Sequence, residues 1–400
     1  MKTLDEIERA HGELTAIRRD IHAHPELAFE ETRTSALVAE KLRGWGIEVH
    51  TGFGKTGVVG VLQGTGGKGR TLGIRADMDA LPMPENNRFA HKSTISGRMH
   101  GCGHDGHTTM LLGAAQYLAR HRDFKGTVVF IFQPAEENGN AGARAMIQDG
   151  LFDKFPCDAV FGIHNMPGMP VNQFGIRPGP TMASSNRFTI TIKGVGGHAA
   201  QPHKTVDTIV IASEMVGVLQ SVVSRSKNPL DTAVLTVTQI HAGDSFNVIP
   251  AEAVIRGTVR TYTTEVLDLM EDTIRRIATT LPQVYGGSGE LDFVRAYPPL
   301  VNWEKEADFA AEVAETAFGK DSVNRAIPPF MGAEDFSFYL EKVPGCYIFL
   351  GNGEGEHRLE TYHGMGPCTL HNPNYDFNDA LLPVGATYWV KMVEAFLAKA

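Results

Sequence analysis

Residues 187–193 read RFTITIK, and the strict alternation of polar and apolar side chains there divides the chain. Successive side chains on a strand point to opposite faces, so this segment buries one face and wets the other. The strands before it are of another kind. Residues 57–62 (GVVGVL), 71–75 (TLGIR), 127–132 (TVVFIF) and 159–163 (AVFGI) are continuous apolar runs, as expected of strands covered on both faces by helices. Helical spacing of apolar residues is found at 4–21, 32–42 and 108–119. The change of character falls after Gly179-Pro180. From there the pattern reads strand 187–193, helix 206–224, strands 233–240 and 254–261, helix 265–280 and strand 291–296. That βαββαβ order folds into a two-layer sandwich. Beyond Pro298-Pro299 the first character returns, with a helix at 305–318, a buried strand at 346–350 (CYIFL) and a terminal helix at 381–398. The predicted fold is α/β, with a discontinuous domain of residues 1–183 and 299–400 and a ferredoxin-like insertion at 184–298.

Composition sets outer bounds. A chain of 400 residues exceeds one ordinary core, so two domains are expected. The net charge of -9 lacks the basic footprint that nucleic acid or an anionic membrane requires. No run approaches the ~18 apolar residues of a membrane span, and the N-terminus lacks the pattern of a signal peptide. The four cysteines form no CxxC pair, which predicts thiols in a reducing compartment and a cytoplasmic protein.

The chemistry concentrates at 99–108, MHGCGHDGHT, which gathers a thiol and three imidazoles among glycines before a helix. Thiolates and imidazoles are natural ligands of zinc-like ions. A polar turn capping the helix is the alternative for an isolated CGH. The density of ligand types favours metal, with Cys102 and His104 as candidates. Residues 133–137, QPAEE, follow the apolar run TVVFIF. Ligands bind at the carboxyl ends of strands in α/β sheets, which raises Glu136 and Glu137 above an ordinary solvated acidic loop. Adjacent acids permit one to ligate and the other to move a proton. His164 ends the run AVFGIH, whereas His371 in TLHNP is weak by itself, as is His363. Asp77 and Asp79, in RADMDALP, are candidates to hold metal-bound imidazoles by their second N–H, direct ligation by Asp77 and a surface ion pair being the alternatives. The glycine-rich stretches 64–71 and 194–200 lack phosphate-loop and dinucleotide spacings, and neither HExxH nor GxSxG occurs.

Taken in order, RADMDALP, MHGCGHDGHT, QPAEE, GIHN, GGHAAQPH, MGAEDFSF and LHNP resemble the hippurate hydrolase and N-acyl-amino-acid amidohydrolase branch of the M20 metallopeptidases. That branch includes the plant auxin-conjugate hydrolases. The resemblance runs from HAHPE at 22–26 to the terminal helix. It implies a zinc-exopeptidase-like catalytic domain holding two divalent ions, zinc or manganese, with nickel and cobalt compatible with the same donors. Cys102 (bridging), His104, Glu137, His164 and His371 would be ligands, and Glu136 the general base. The insertion would be a lid and dimerisation module, its His198 reaching a neighbouring active site in a homodimer or higher homo-oligomer. The implied substrate is a small N-acyl amino acid. Arg260 and Asn247 are candidates for its free carboxylate, a structural arginine being the alternative at 260. Gly101 stands where the family usually has Ala or Val, and is expected to loosen the loop.

Three rival readings remain at this stage. A metallo-dipeptidase or carboxypeptidase would use the same ions on free peptides. A Cys102 nucleophile assisted by His104 would survive chelators. An inactive metal-binding module would have no use for Glu136.

Overall fold

The computed structural model describes residues 3–358 and 368–398, and the candidate His363 lies outside them. The chain forms two compact units, one of residues 1–179, 301–328 and 335–400 and the other of residues 180–300 and 329–334. The first unit begins with α1 (Asp5–Arg9), α2 (His11–Ala23) and α3 (Thr32–Gly44), so the single helix expected at 4–21 is divided at Ala10. Then come β1 (Glu48–Phe53), β2 (Gly57–Gln63), β3 (Thr71–Asp77), α4 (His104–Arg120) and β4 (Thr127–Gln133). They are followed by α5 (Gly142–Gln148), α6 (Leu151–Lys154), β5 (Ala159–Pro167) and β6 (Phe174–Gly175). β1 escaped the sequence reading because it is a largely exposed edge strand with no apolar run.

After β7 (Gly179–Met182), the second unit is built from β8 (Ser185–Lys193), β9 (Gly197–His198), α7 (Thr208–Ser221), β10 (Ala233–His241), β11 (Val248–Ile249), β12 (Glu252–Thr261), α8 (Thr264–Val284) and β13 (Ser288–Tyr297). Its four-stranded sheet has the order β10-β12-β8-β13, all antiparallel. This is the ferredoxin-like arrangement of a βαββαβ chain. In β8 the alternation is realised: Phe188, Ile190 and Ile192 are buried while Arg187 and Lys193 are exposed. Those three pack with Ile211, Met215 and Leu219 of α7 and Met270 and Ile274 of α8 in one apolar core. Asp207 caps α7 by accepting from Ile209 N, and Thr263 caps α8 by accepting from Val266 N.

The unit boundaries differ from the predicted 184 and 298, and residues 329–334 belong with the second unit. Phe330 N donates to Thr181 O (2.9 Å) and Ala183 N to Gly332 O (2.9 Å). Backbone pairing across that many residues leaves no mark on local hydrophobic pattern.

The chain continues through β14 (Leu300–Asn302), α9 (Glu304–Phe318), β15 (Val323–Asn324), α10 (Ser337–Leu340), β16 (Gly345–Gly353) and α11 (Leu381–Ala398). The first unit's sheet has the order β1-β2-β4-β3-β5-β16-β6-β15, with β4, β3, β5 and β16 mutually parallel. The four parallel strands all read as apolar runs, as does β2, which pairs antiparallel with β1 and β4, and β4 is buried from Val128 to Gln133. β5 runs past residue 163 because β16 keeps pairing with it, Phe349 opposite His164 and Leu350 opposite Asn165. His164 therefore lies within the strand, not beyond its end.

Gly106, within α4, faces the ring of Phe377: a Cβ there would meet ring atoms at 2.2–2.4 Å. Glycine costs a helix interior about 1 kcal/mol relative to alanine, so packing is what retains it. Gly106→Ala is expected to lower stability by roughly 1–3 kcal/mol through overpacking, despite its better helix propensity. Urea unfolding checks this, and an unchanged or raised midpoint would refute the packing account.

Candidate metal centre

The ends of β3 and β4, the middle of β5, the start of α4 and the loop before α11 bring the predicted ligands together. Ligand atoms of Cys102, His104 and His164 lie within 4.8 Å of one another, as do those of Cys102, Glu137 and His371, and those of His104, Glu136 and Glu137. Cys102 is thus common to two groups, with its Sγ 3.3 Å from His164 Nε2. His371 enters with a positive φ of 60°. Its N–H donates to Gly101 O (2.8 Å) and its Nε2 lies 3.3 Å from Glu137 Oε1. All of these except His371 are buried.

Local geometry explains the placement. α4 is preceded by Gly103, with φ 96°, where a Cβ would collide with Asn165 Oδ1 and Tyr375 Oη. Gly101, expected to loosen the loop, is held by backbone bonds on both sides. It is buried, donates to Met99 O and accepts from His371 N. Asp79 accepts from the backbone N–H of both Glu136 and Glu137 (3.0 Å each), and its Oδ1 is 3.3 Å from His104 Nδ1. Asp77 is not a surface ion pair but wholly buried, bonded to Arg75 Nη1 (2.8 Å) and His107 Nδ1 (2.7 Å). His107 in turn accepts from Asn165 N–H (3.0 Å), and Asn165 Nδ2 donates to Tyr375 Oη (2.6 Å). His107, Asn165 and Tyr375 were missed by the sequence reading. For His107 and Asn165 the only signal was membership of the MHGCGHDGHT and GIHN motifs, and Tyr375 lay in none of the motifs.

Electrostatics test whether a cation fits. His164 Nδ1 donates to Asn165 O (2.7 Å), which leaves its Nε2 lone pair facing Cys102. Burial, with His107 beside it, holds His164 well below the usual imidazole range, so it is neutral. Burial would likewise depress His104, but Asp77, Asp79 and Glu137 outweigh it and raise it to about 10. Glu137 is kept below the usual carboxylate range, because His371 and His104 overcome the effect of burial. The surrounding carboxylates demand positive charge, and a bound cation supplies it in place of a proton on His104. The buried Glu137 Oε1 faces the exposed His371 Nε2 at 3.3 Å, and His104 Nε2 is buried without a hydrogen-bond partner. A buried polar atom is rarely left so, and His104 Nε2 and Glu137 Oε1, with the Cys102 sulfur and the neutral His164 imidazole beside them, form a donor set that fits a divalent ion.

A model of peptidase family M20/M25/M40 matches residues 73–395. The chain belongs to this family. It is 42% identical to a hippurate hydrolase of Campylobacter jejuni, covering 99% of this chain and 100% of that relative. It is 38% identical to an N-acetylcysteine deacetylase of Bacillus subtilis, covering 96% of each. A crystal structure of a dinuclear metal-binding M20 peptidase from Bacillus subtilis matches with a TM-score of 0.84 and 34% identity, over 98% of this chain and 99% of that one.

The second unit of this M20 chain carries the remaining candidates. His198 on β9 pairs with Val248 of β11, and Ala199 N donates to Asn247 O (3.0 Å), so His198 and Asn247 share one small exposed ladder. Arg260 is elsewhere, on β12, where its Nη1 donates to Ser185 Oγ (2.6 Å) and burial depresses its pKa. That bond gives the structural reading of Arg260 a partner within its own sheet.

Behind α4, a second buried network supports the metal loop. His22 Nδ1 bonds Asp105 (2.8 Å), its Nε2 bonds Glu85 (3.2 Å), and Arg18 lies between Asp105, Asp376 and Asp379. Burial opposes protonation of His22, yet Asp105 and Glu85 raise it to about 9. A raised folded-state pKa stabilises fully below the unfolded value of about 6.5 and ceases to do so as pH rises through the folded value. Stability of the M20 chain should therefore decline between pH 6.5 and about 9. His22→Asn should flatten that limb of a thermal-melt series, and an equally steep decline in the variant would contradict the assignment. For the metal groups, elemental analysis is the direct check. Cys102→Ala should empty both groups, whereas His371→Ala should retain the ion at Cys102, His104 and His164. Full occupancy in either variant would remove that residue from the ligand set.

Proposed function

We propose that this chain is a metal-dependent amidohydrolase that cleaves N-acyl amino acids to a carboxylic acid and a free amino acid. The observation that carries this reading is the pairing of Glu136 with Glu137 on one turn. Both backbone N–H groups are tied to Asp79, and both carboxyl groups are within reach of His104. Hippurate is N-benzoylglycine and N-acetylcysteine is likewise an acylated amino acid, so both relatives are named for the same kind of bond.

In this reading Cys102 is shared, His104 and His164 complete one ion's ligands, and Glu137 and His371 the other's. Zinc and manganese suit the mixed sulfur, nitrogen and oxygen donors. The bound ions supply Lewis acidity, which makes water acidic enough to ionise near neutral pH. Glu136, buried and held by its backbone, accepts the proton of the attacking water and passes it to the leaving amine. His198 Nδ1 accepts from Ala200 N–H (3.1 Å), so its proton is on Nε2, where it can donate to the developing oxyanion. The second unit acts as lid and dimerisation module, His198 serving the site of a neighbouring copy. Its edge strand β10 and the exposed Ile209, Val210, Val218 and Ile240 suit a homodimer interface. Asn247 and Arg260 are the lid groups offered to the substrate carboxylate. The four cysteines are free of disulfides, in keeping with a cytoplasmic setting.

Glu136→Gln should retain both ions and the fold while turnover of hippurate and N-acetyl amino acids falls by about 10²–10⁴-fold. Near-normal turnover would exclude Glu136 as the base. A wild-type preference for free dipeptides over N-acyl amino acids would favour the metallo-dipeptidase reading instead.

A further inference from the structure

Ala135 has a φ of 54°, a left-handed conformation that is uncommon for a residue with a Cβ, and Glu136 after it is right-handed. This alternation turns successive N–H groups towards one side, forming a concavity that attracts anions. Two carboxylates of the chain itself fill it. Asp79 takes the N–H groups of Glu136 and Glu137 (3.0 Å each), and Glu31 Oε1 takes that of Ala135 (2.9 Å). Glu31 also accepts from Phe29 N (2.9 Å) and from Thr56 Oγ (2.5 Å) and is fully buried.

The position of Glu31 makes this arrangement informative. It immediately precedes α3, where an acid ordinarily caps its own helix, yet Glu31 makes no such bond. Glu26 takes that role, accepting from Arg33 N and Thr34 N (2.8 Å each). Glu31 is instead turned into the protein, to a turn more than a hundred residues away in sequence. Burial, reinforced by the charge of Asp79, opposes a carboxylate there. A purely space-filling role would be met better by an apolar side chain.

We propose that Glu31 is a positioning residue for the Glu136–Glu137 pair. By holding the Ala135 N–H it fixes the left-handed step from which the two acidic side chains diverge, one towards metal and one towards the proton to be moved. The inference rests on the roles proposed above for Glu136 and Glu137.

The test compares Glu31→Gln, Glu31→Leu and Glu31→Asp with Val38→Ala, a core truncation within α3. Zinc retention against a competing chelator, thermal midpoint, kcat and KM are measured for each. Gln keeps an acceptor for Ala135 N–H and should retain zinc as the wild type does. Leu should weaken zinc retention by about 10–100-fold, as loss of outer-shell support does. It should also lower kcat by about tenfold or more while KM stays within about threefold. Should the Leu variant fail to fold, Asp decides. It keeps the charge but shortens the reach, so it should weaken zinc retention in a folded protein. Val38→Ala should leave zinc retention and kcat unchanged at a similar loss of thermal midpoint. Zinc retention in the Leu or Asp variant no worse than in Val38→Ala would overturn the proposal, as would a Gln variant as impaired as Leu. Zinc retention needs no substrate, so a wild type inactive on N-acyl amino acids would sink the proposed activity and leave this test standing.

Discussion

The carboxylate of Asp79 joins three stretches of chain: its own after β3, the acidic turn after β4 and the start of α4. Its two oxygens hold the N–H groups of Glu136 and Glu137, and one of them also lies beside His104 Nδ1. Remove that carboxylate and the turn after β4 loses its anchor at the same moment as α4 loses a partner for its first imidazole. A charged acceptor on backbone N–H groups in a buried setting is among the stronger hydrogen bonds available to a protein. It also carries a cost, because a buried negative charge must be matched.

Matching recurs throughout the first unit. Asp77 is answered by Arg75 and His107, Asp105 by His22 and Arg18, and Asp335 by Arg75. Asp335 also accepts from Gln133 Nε2 and Ala143 N, and so braces both ends of the segment that contains Glu136 and Glu137. At the centre itself the sum is not balanced by protein groups alone. His104 is driven towards the protonated state by carboxylates on several sides, the condition under which a cation binds best. The parallel strands deliver these groups to one place because their carboxyl ends open towards the same edge of the sheet.

How much of this could be read in advance depended on the range of the interaction. The second unit was legible because β8 half-buries itself and so alternates residue by residue. Glu136 and Glu137 were legible because TVVFIF marks a buried strand and only three residues separate them from its end. By contrast, β1 is an edge strand whose hydrogen bonds to β2 ask nothing of its own side chains. Residues 329–334 join the second unit through backbone bonds that any sequence can make. His107, Asn165 and Tyr375 form one chain of bonds, but each looks unremarkable beside its sequence neighbours.

The sequence by itself determined most of the elements, the inserted βαββαβ unit and, apart from His371, the candidate metal ligands, because hydrophobic period and ligand type are local properties. It also carried the family motifs in order. Only the tertiary structure decided which acid serves which neighbour: that Asp79 holds the acidic turn, that Asp77 belongs to His107, and that Glu31 leaves its own helix to reach Ala135. Those pairings depend on distance and on direction in three dimensions. Both arise from packing between segments far apart in the chain, and no local pattern encodes them.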